Sequence, residues 1–237
     1  MDTALITGAS RGLGLALARE LARRSWRLVI DARGLDALEA ARAELAAITE
    51  VVAVPGDVAD AAHRRALVDA AGPRIDLLVN NASILGPSPQ PELAAYPLHV
   101  LEHVYRVNVV APLALVQAAL PRLTAGAVIL NVTSDAAVEG YEGWGGYGSS
   151  KAALEQLSHI LGAEEPTLRV YRFDPGDMRT AMHQEAFPGE DISDRAEPET
   201  VVPALRRLLA ESPPSGRYRA ADLVEPEAEP EAMETVG

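Results

Sequence analysis

Short runs of apolar and β-branched residues recur along the chain, with stretches of mixed polarity between them. The runs occupy 4–7, 27–31, 51–55, 75–80, 127–132 and 168–173. Most are apolar at successive positions rather than alternating. That pattern predicts strands buried on both faces, as in a parallel sheet covered by helices. The intervening segments 13–24, 35–47, 60–71, 98–123 and 147–161 are rich in Ala and Leu with Arg or Glu interspersed, a composition that favours amphipathic helix. A helix at 200–211 and a last strand near 217–223 continue the series. Strand–helix alternation implies βαβ units with right-handed crossovers, and hence one doubly wound α/β domain over residues 1–224. Two stretches break the pattern. Residues 86–97 carry four prolines and are read as a loop, and the polar segment 177–198, with Pro188-Gly189 in its middle, has the length of a functional lid.

Composition narrows the classes. Hydrophobic residues make up 48% of 237, enough for a sizeable core. There is no cysteine, which excludes disulfides, thiolate nucleophiles and cysteine-ligated metals. The start Met1-Asp2-Thr3-Ala4-Leu5-Ile6-Thr7 lacks a basic region and Gly8 interrupts its apolar run, so no signal peptide is expected there. No apolar run reads as long enough to span a bilayer, and a cytoplasmic location is expected. The formal net charge of −13 disfavours nucleic acid and anionic membrane as partners. Residues 225–237 hold five acids and no base among Glu, Pro and Ala, and are read as an acidic disordered tail.

The first chemical signal is Thr7-Gly8-Ala9-Ser10-Arg11-Gly12-Leu13-Gly14, between the first strand and the first helix. Such a turn aims backbone N–H groups and the helix dipole at a pyrophosphate. Gly8 permits the tight turn, Gly12 lets a phosphate approach the backbone, and Gly14 allows close helix packing. A second signal is Tyr147-Gly148-Ser149-Ser150-Lys151, whose tyrosine and lysine share one helix face. A free phenol, with a pKa of about 10, shuttles protons poorly at neutral pH. A neighbouring ammonium, with cofactor charge, is expected to lower that pKa.

Taken in order, the motifs resemble those of the short-chain dehydrogenases/reductases. T-G-x-x-x-G-x-G opens the chain, Asp57-Val58 follows the third strand, and Asn80-Asn81-Ala82-Ser83 follows the fourth. Asn108 lies in the long central helix, Ser134 follows the fifth strand, Y-x-x-x-K comes next, and Pro175-Gly176 through Thr180 gives P-G-x-x-x-T. The resemblance covers residues 3 to 223 and implies a Rossmann-like fold. It departs at Ser83, where the family has glycine, and in a slightly short stretch from Lys151 to Pro175, which is expected to trim the end of the helix that carries Lys151.

The resemblance also implies roles. Tyr147 exchanges a proton with the substrate oxygen, Ser134 hydrogen-bonds the same oxygen, Lys151 binds the nicotinamide ribose, and Asn108 holds a water linking Lys151 to solvent. Gly8, Ser10, Arg11, Gly12, Leu13, Gly14, Arg33, Asp57, Val58, Asn80, Ala82, Tyr147, Lys151, Pro175, Gly176 and Thr180 are the implied cofactor-binding residues. The reaction implied is reduction of a ketone or aldehyde, or oxidation of the alcohol, by a nicotinamide dinucleotide. Asp31 at the end of the second strand would favour NAD through a ribose hydroxyl, whereas Arg11 and Arg33 would pair with the 2′-phosphate of NADP. The register that puts Ala32 in the family's acidic position, with Arg33 on the phosphate, favours NADP; NAD remains open.

Other readings stand beside this one. His99-Val100-Leu101-Glu102-His103 matches H-x-x-E-H, a zinc-peptidase pattern, but no third ligand is evident and no metal is expected. A dinucleotide sensor without turnover is the alternative function. Segment 98–123 and the Tyr147 helix resemble the pair that builds a four-helix interface in many family members, so a homodimer or homotetramer is expected. Residues 138–144 and the 177–198 segment are expected to wall the substrate pocket.

Overall fold

The computed structural model describes residues 1–223; the acidic tail lies outside the described residues. Seven parallel strands form one sheet in the order β3-β2-β1-β4-β5-β6-β7, the doubly wound arrangement predicted from the sequence. They are β1 (Thr3–Ile6), β2 (Arg27–Ala32), β3 (Val51–Pro55), β4 (Ile75–Asn80), β5 (Leu123–Val132), β6 (Arg169–Asp174) and β7 (Gly216–Arg219). The helices between them are α1 (Gly12–Arg23), α2 (Leu35–Ala46), α3 (Ala61–Ala71), α4 (Leu98–Tyr105), α5 (Ala111–Ala119), α6 (Gly145–Glu164), α7 (Ala181–Ala186), α8 (Val202–Glu211) and α9 (Ala220–Leu223).

Strands β1, β2 and β4 and the last six residues of β5 bury both of their faces because their apolar residues are largely consecutive, whereas β3 and β7 at the sheet edges are only partly buried. Ala4, Ile6, Leu28, Ile30, Leu77 and Val79 point to the face covered by α1, α2 and α8, where they meet Leu17, Leu45 and Leu205. Leu5, Val29 and Leu78 point the other way, against Leu67 of α3 and Leu115 of α5. Burying each such Leu or Ile is worth about 1.5–3 kcal/mol, so the sheet needs helices on both sides.

The long central segment is helical from 98 to 122, but α4 and α5 are separated by a π-turn at Arg106–Val110. Contrary to the reading of the apolar runs, this segment is long and apolar enough to cross a membrane by length and composition; half of its apolar window is buried inside the fold, where it serves as a core helix. Helix α6 runs 20 residues from Gly145 to Glu164, beyond the 147–161 read from the sequence. The 177–198 segment contains α7 rather than being loop throughout.

The chain winds outward from β1 to β3 and then crosses back to place β4 beside β1. The carboxyl ends of β1 and β4 therefore diverge into a crevice, the switch point at which open α/β sheets bind ligands.

Candidate active site

A cleft of about 1000 Å³ opens at that switch point and continues along the carboxyl edge of the sheet from Arg33 to Trp144. At one end the glycine turn forms its floor. Gly8 (φ +67°) and Gly12 (φ +57°) adopt left-handed backbone that favours glycine. A Cβ on Gly14 would lie 2.6 Å from both Asn81 Nδ2 and the Gly8 carbonyl, so this glycine is a packing requirement. A Cβ on Gly12 would meet only Thr180 Cγ2, at 3.7 Å. Arg11, the residue before α1, provides no side-chain cap. The first amides of α1 are therefore open to an anion in the cleft. This cradle fits the pyrophosphate of a dinucleotide.

Asparagine and threonine lock the turn. Asn81 Nδ2 donates to the Thr7 carbonyl at 2.9 Å and the Gly8 carbonyl at 3.0 Å, and Thr7 Oγ1 accepts from the amides of Asn81 and Ala82, each at 3.0 Å. Neither Thr7 nor Asn81 is among the predicted site residues; the adjacent Asn80 is. Asn80 Nδ2 instead donates to Asn131 Oδ1 at 2.7 Å, and Asn131 Nδ2 to Ser158 Oγ at 2.7 Å. Its side chain belongs to this buried polar ladder and not to the cleft wall, because Asn80 is still in the strand and pairs in register with Asn131.

Ser10, Arg11, Leu13, Arg33, Asp57, Val58, Ala82, Pro175, Gly176 and Thr180 all line the cleft. Val58 is buried against Val107 and Ala111, and Asp57 Oδ1 accepts from Ala59 N at 2.8 Å to shape the turn after β3. Arg11 and Arg33 are exposed and make no ion pair among the described residues. Asp31 is committed elsewhere. It is 1% exposed, Oδ1 accepts from Gly8 N at 2.7 Å, and Oδ2 lies 2.9 Å from His63 Nε2.

At the other end, Ser134, Tyr147 and Lys151 come together. Ser134 caps the short turn after β5, accepting from Ala136 N at 3.2 Å, and its hydroxyl donates to Asp135 Oδ1 at 2.8 Å. Lys151 Nζ lies 5.5 Å from the centre of the Tyr147 ring and donates to the Val132 carbonyl at 2.8 Å. Lys151 is the only lysine in the chain; every other Lys/Arg position is arginine. Burial pushes its pKa down to about 8. The Tyr147 phenol is not lowered, in contrast to the sequence-based expectation. Burial drives it well above its ordinary range; a hydrogen bond with Ser134 pulls it down, and the charges of Asp135 and Asp174 push it further up.

Asn108 does not line the cleft. Its Oδ1 accepts from Ser83 Oγ at 3.1 Å and Ile84 N at 2.9 Å, and its Nδ2 donates to the Ile84 carbonyl at 2.9 Å and Ser150 Oγ at 3.0 Å. Both donors and both acceptor positions of the amide are thus engaged. Rather than offering its side chain to water, Asn108 clamps the strand-to-loop passage to α6. Ser83, the departure from the family pattern, supplies one of those bonds.

The substrate end is aromatic. Trp144 stands edge-on to Tyr147 (5.8 Å between centroids) and to Tyr141 (6.4 Å), and tilts against Phe187 at 5.9 Å. Met182 and Ala186 pack on the Leu85–Ala136–Tyr147 cluster, so α7 sits over the tyrosine. His99, Glu102 and His103 are exposed on α4, and no group of three or more His, Asp or Glu side chains among the described residues is arranged to hold a metal ion.

Comparison with known proteins agrees with this geometry. The short chain dehydrogenase family model matches residues 2–191. A rhamnolipid-biosynthesis 3-oxoacyl-[acyl-carrier-protein] reductase of Pseudomonas aeruginosa is 37% identical over 68% of this chain and 66% of its own length. Mouse (Mus musculus) sepiapterin reductase is 33% identical over 76% of each chain. The structure of an alcohol dehydrogenase from Thermococcus sibiricus complexed with 5-hydroxy-NADP superposes with a TM-score of 0.83 at 28% identity, covering 96% of this chain and 100% of that one. With the glycine turn, the parallel sheet and the Tyr–Lys helix in place, the chain belongs to the short-chain dehydrogenase family of NAD(P)-dependent oxidoreductases acting on CH–OH and C=O groups.

Proposed function

We propose that this protein reduces a ketone or aldehyde with NADPH, using Tyr147 as the general acid. The observation that carries the reading is the meeting of Ser134, Tyr147 and Lys151 on one wall of the cleft whose other end is the glycine cradle. The names of the relatives, a 3-oxoacyl reductase and a sepiapterin reductase, support the reductive direction. A sensor without turnover would not require a buried phenol and serine in contact beside a buried lysine.

When bound, a nicotinamide dinucleotide supplies the hydride. The chain does the rest. Gly8, Gly12 and the amides at Ser10, Leu13 and Gly14 hold the pyrophosphate, and Asp57, Val58 and Ala82 border the adenosine half. Pro175, Gly176 and Thr180 border the nicotinamide half. Ser134 Oγ and Tyr147 Oη hold the substrate oxygen, and the phenol proton passes to that oxygen as the alcohol forms. Lys151 binds the ribose and places a cation beside the phenolate left behind, which offsets the penalty of burial. Asn108 contributes by holding the Ser83–Ile84 backbone and α6 in register.

Preference for NADP is supported by two features. Asp31 is occupied by Gly8 N and His63, so it is not available to a ribose hydroxyl. Arg11 and Arg33, both exposed at the cleft, are suited to a 2′-phosphate. Exposed Val110, immediately before α5, and exposed Ile160 on α6, together with the shallow apolar groove that Leu113, Leu157 and Leu161 line between those helices, support a homodimer or homotetramer through α5 and α6; a monomer by light scattering at micromolar concentration would count against it. Assay of purified protein with NADPH and NADH over a panel of ketones and aldehydes tests the function. Absence of turnover with every pair, despite dinucleotide binding, overturns it.

A further inference from the structure

Behind the Tyr147–Lys151 pair lie two buried carboxylates and a partly buried arginine that the proposed reaction does not use. Glu155 and Asp174 are 7% and 4% exposed, and the Arg217 side chain, 22% exposed, lies between them. Arg217 Nε donates to Glu155 Oε1 at 2.8 Å. Its Nη2 donates to Asp174 Oδ2 at 2.8 Å and to the Ser134 carbonyl at 3.3 Å. Glu155 Oε1 also accepts from Thr133 Oγ1 at 2.9 Å, and Asp174 Oδ1 accepts from Gly176 N at 3.0 Å. Burial works against the Arg217 cation, yet the hydrogen bonds and charges of Glu155 and Asp174 outweigh it and hold its pKa above the ordinary value.

The arrangement has a clear order. Val132, Thr133 and Ser134, consecutive at the end of β5, are each held by one charged side chain: Lys151 on the Val132 carbonyl, Glu155 on the Thr133 hydroxyl and Arg217 on the Ser134 carbonyl. Lys151 and Glu155 lie one turn apart on α6. Asp174 immediately precedes Pro175-Gly176. The triad therefore joins the serine, the tyrosine–lysine helix and the nicotinamide-side turn. Replacing a buried ion pair by well-packed hydrophobic residues is often neutral for stability, so these ion pairs are weak evidence of a stabilising role, and their place beside the reacting side chains points to the chemistry instead.

We infer that Arg217 is a positioning residue for the reaction proposed above: from β7 it fixes these three elements in one frame and neutralises two carboxylates that would otherwise act on Tyr147 and Lys151. The kinetic half of this inference rests on that reading of the function. The charged groups around the pair are Glu155 on α6, Asp135 in the turn after β5, Asp174 at the end of β6 and Arg217 on β7; Asn108, behind Ser150, is neutral. Without Arg217, Glu155 and Asp174 stand unopposed, and both the phenol and the ammonium keep their protons to higher pH. Removing the Asp174 charge acts in the opposite direction. A purely structural role for Arg217 would lower activity in every variant without moving titration midpoints in opposite directions.

The single lysine makes the test direct. Protein labelled with 15N-lysine gives one side-chain ammonium, and its titration by NMR reports Lys151 without any turnover. The wild-type midpoint is expected at about 8. Arg217→Met should raise it by about one pH unit, Asp174→Asn should lower it, and the double variant should return close to wild type. Arg217→Lys, which keeps charge but loses the fork, should fall between wild type and Arg217→Met. The pH limb of kcat/KM should move in the same order, with kcat of Arg217→Met down about tenfold or more. Midpoints that stay fixed, or that move the same way in Asp174→Asn and Arg217→Met, overturn the inference. If Arg217→Met does not fold, Asp174→Asn and Arg217→Lys decide it: an unmoved or raised midpoint in Asp174→Asn is sufficient to reject it. Failure of the carbonyl panel would count against the proposed function alone, since the midpoints are measured without substrate.

Discussion

The two ends of the cleft are built by different means. The dinucleotide end is made of backbone: left-handed glycines, the uncapped amides of α1 and carbonyls held by Asn81. The substrate end is made of side chains carried on irregular segments, with Trp144, Met182 and Phe187 gathered around Tyr147. Backbone can approach a phosphate only where glycines stand at fixed intervals, so that end leaves a spacing in the sequence. A wall of side chains imposes no interval. The same contrast separates a function shared by many proteins from a specificity belonging to one.

The largest expected effect lies where the two ends meet. Tyr147→Phe removes the phenol proton while keeping the ring against Trp144, and should lower kcat by about a hundredfold or more. Dinucleotide affinity, measured by fluorescence titration, should change little. A near-wild-type kcat would remove Tyr147 from the role of acid.

Next comes a change confined to the dinucleotide end. Arg33→Ala should weaken NADPH by about tenfold to a hundredfold, the loss of one charge-assisted contact of about 1.5–3 kcal/mol. NADH should be nearly unaffected. Equal weakening of both cofactors, or a wild-type preference for NADH, would mean that the 2′-phosphate is not read by this arginine. A smaller effect is expected at the substrate end. Trp144→Ala removes the ring shared by Tyr147 and Phe187, and should raise KM for the carbonyl compound by about tenfold, on the order of one aromatic contact. KM for NADPH should remain within about twofold. If Trp144→Ala disturbs both substrates equally, the two ends are not separable.

These differences explain what could be read in the chain. The strands were legible because their consecutive apolar residues face two helix layers, and the glycine turn because its spacing is demanded by backbone geometry. Neighbours that differ only in direction were not. Asn80 and Asn81 are adjacent and identical, yet the pleat sends one into a ladder with Asn131 and frees the other to clamp the glycine turn. Asp31 is the penultimate residue of β2, close to where an acid can meet ribose, but its partner His63 is remote in sequence. Nothing local announces that the carboxylate is already engaged. Arg217 is equally remote from Glu155 and Asp174, and only the pairing of β6 with β7 brings it to them. The membrane-length apolar segment is the converse case, since individual apolar runs do not reveal how long the joined helix becomes.

The smallest expected effect concerns the 177–198 segment, which spans both ends. Its sequence suggests few anchors, but the structure supplies several. Met182 and Ala186 pack on the Tyr147 cluster, Phe187 meets Trp144, Ser88 Oγ donates to the Glu185 carbonyl at 2.6 Å, and Arg179 N donates to the Ala196 carbonyl at 2.8 Å. Thr180 caps α7 through its Oγ1, which accepts from His183 N at 3.2 Å, and its methyl faces Gly12. A ligand lying on the glycine turn would thus touch the first residues of this segment before reaching its centre. Most of its polar contacts are nevertheless exposed, the condition under which local opening is cheap. Cofactor binding is therefore expected to slow hydrogen exchange most at 177–183 and less at 187–198, by about threefold to tenfold, since a few contacts add roughly 1 kcal/mol. Exchange measured with and without NADPH decides between a lid and a fixed wall. Protection of the Gly8–Gly14 turn with no change anywhere in 177–198 would show that the segment is a static part of the substrate end, indifferent to the other end of the cleft.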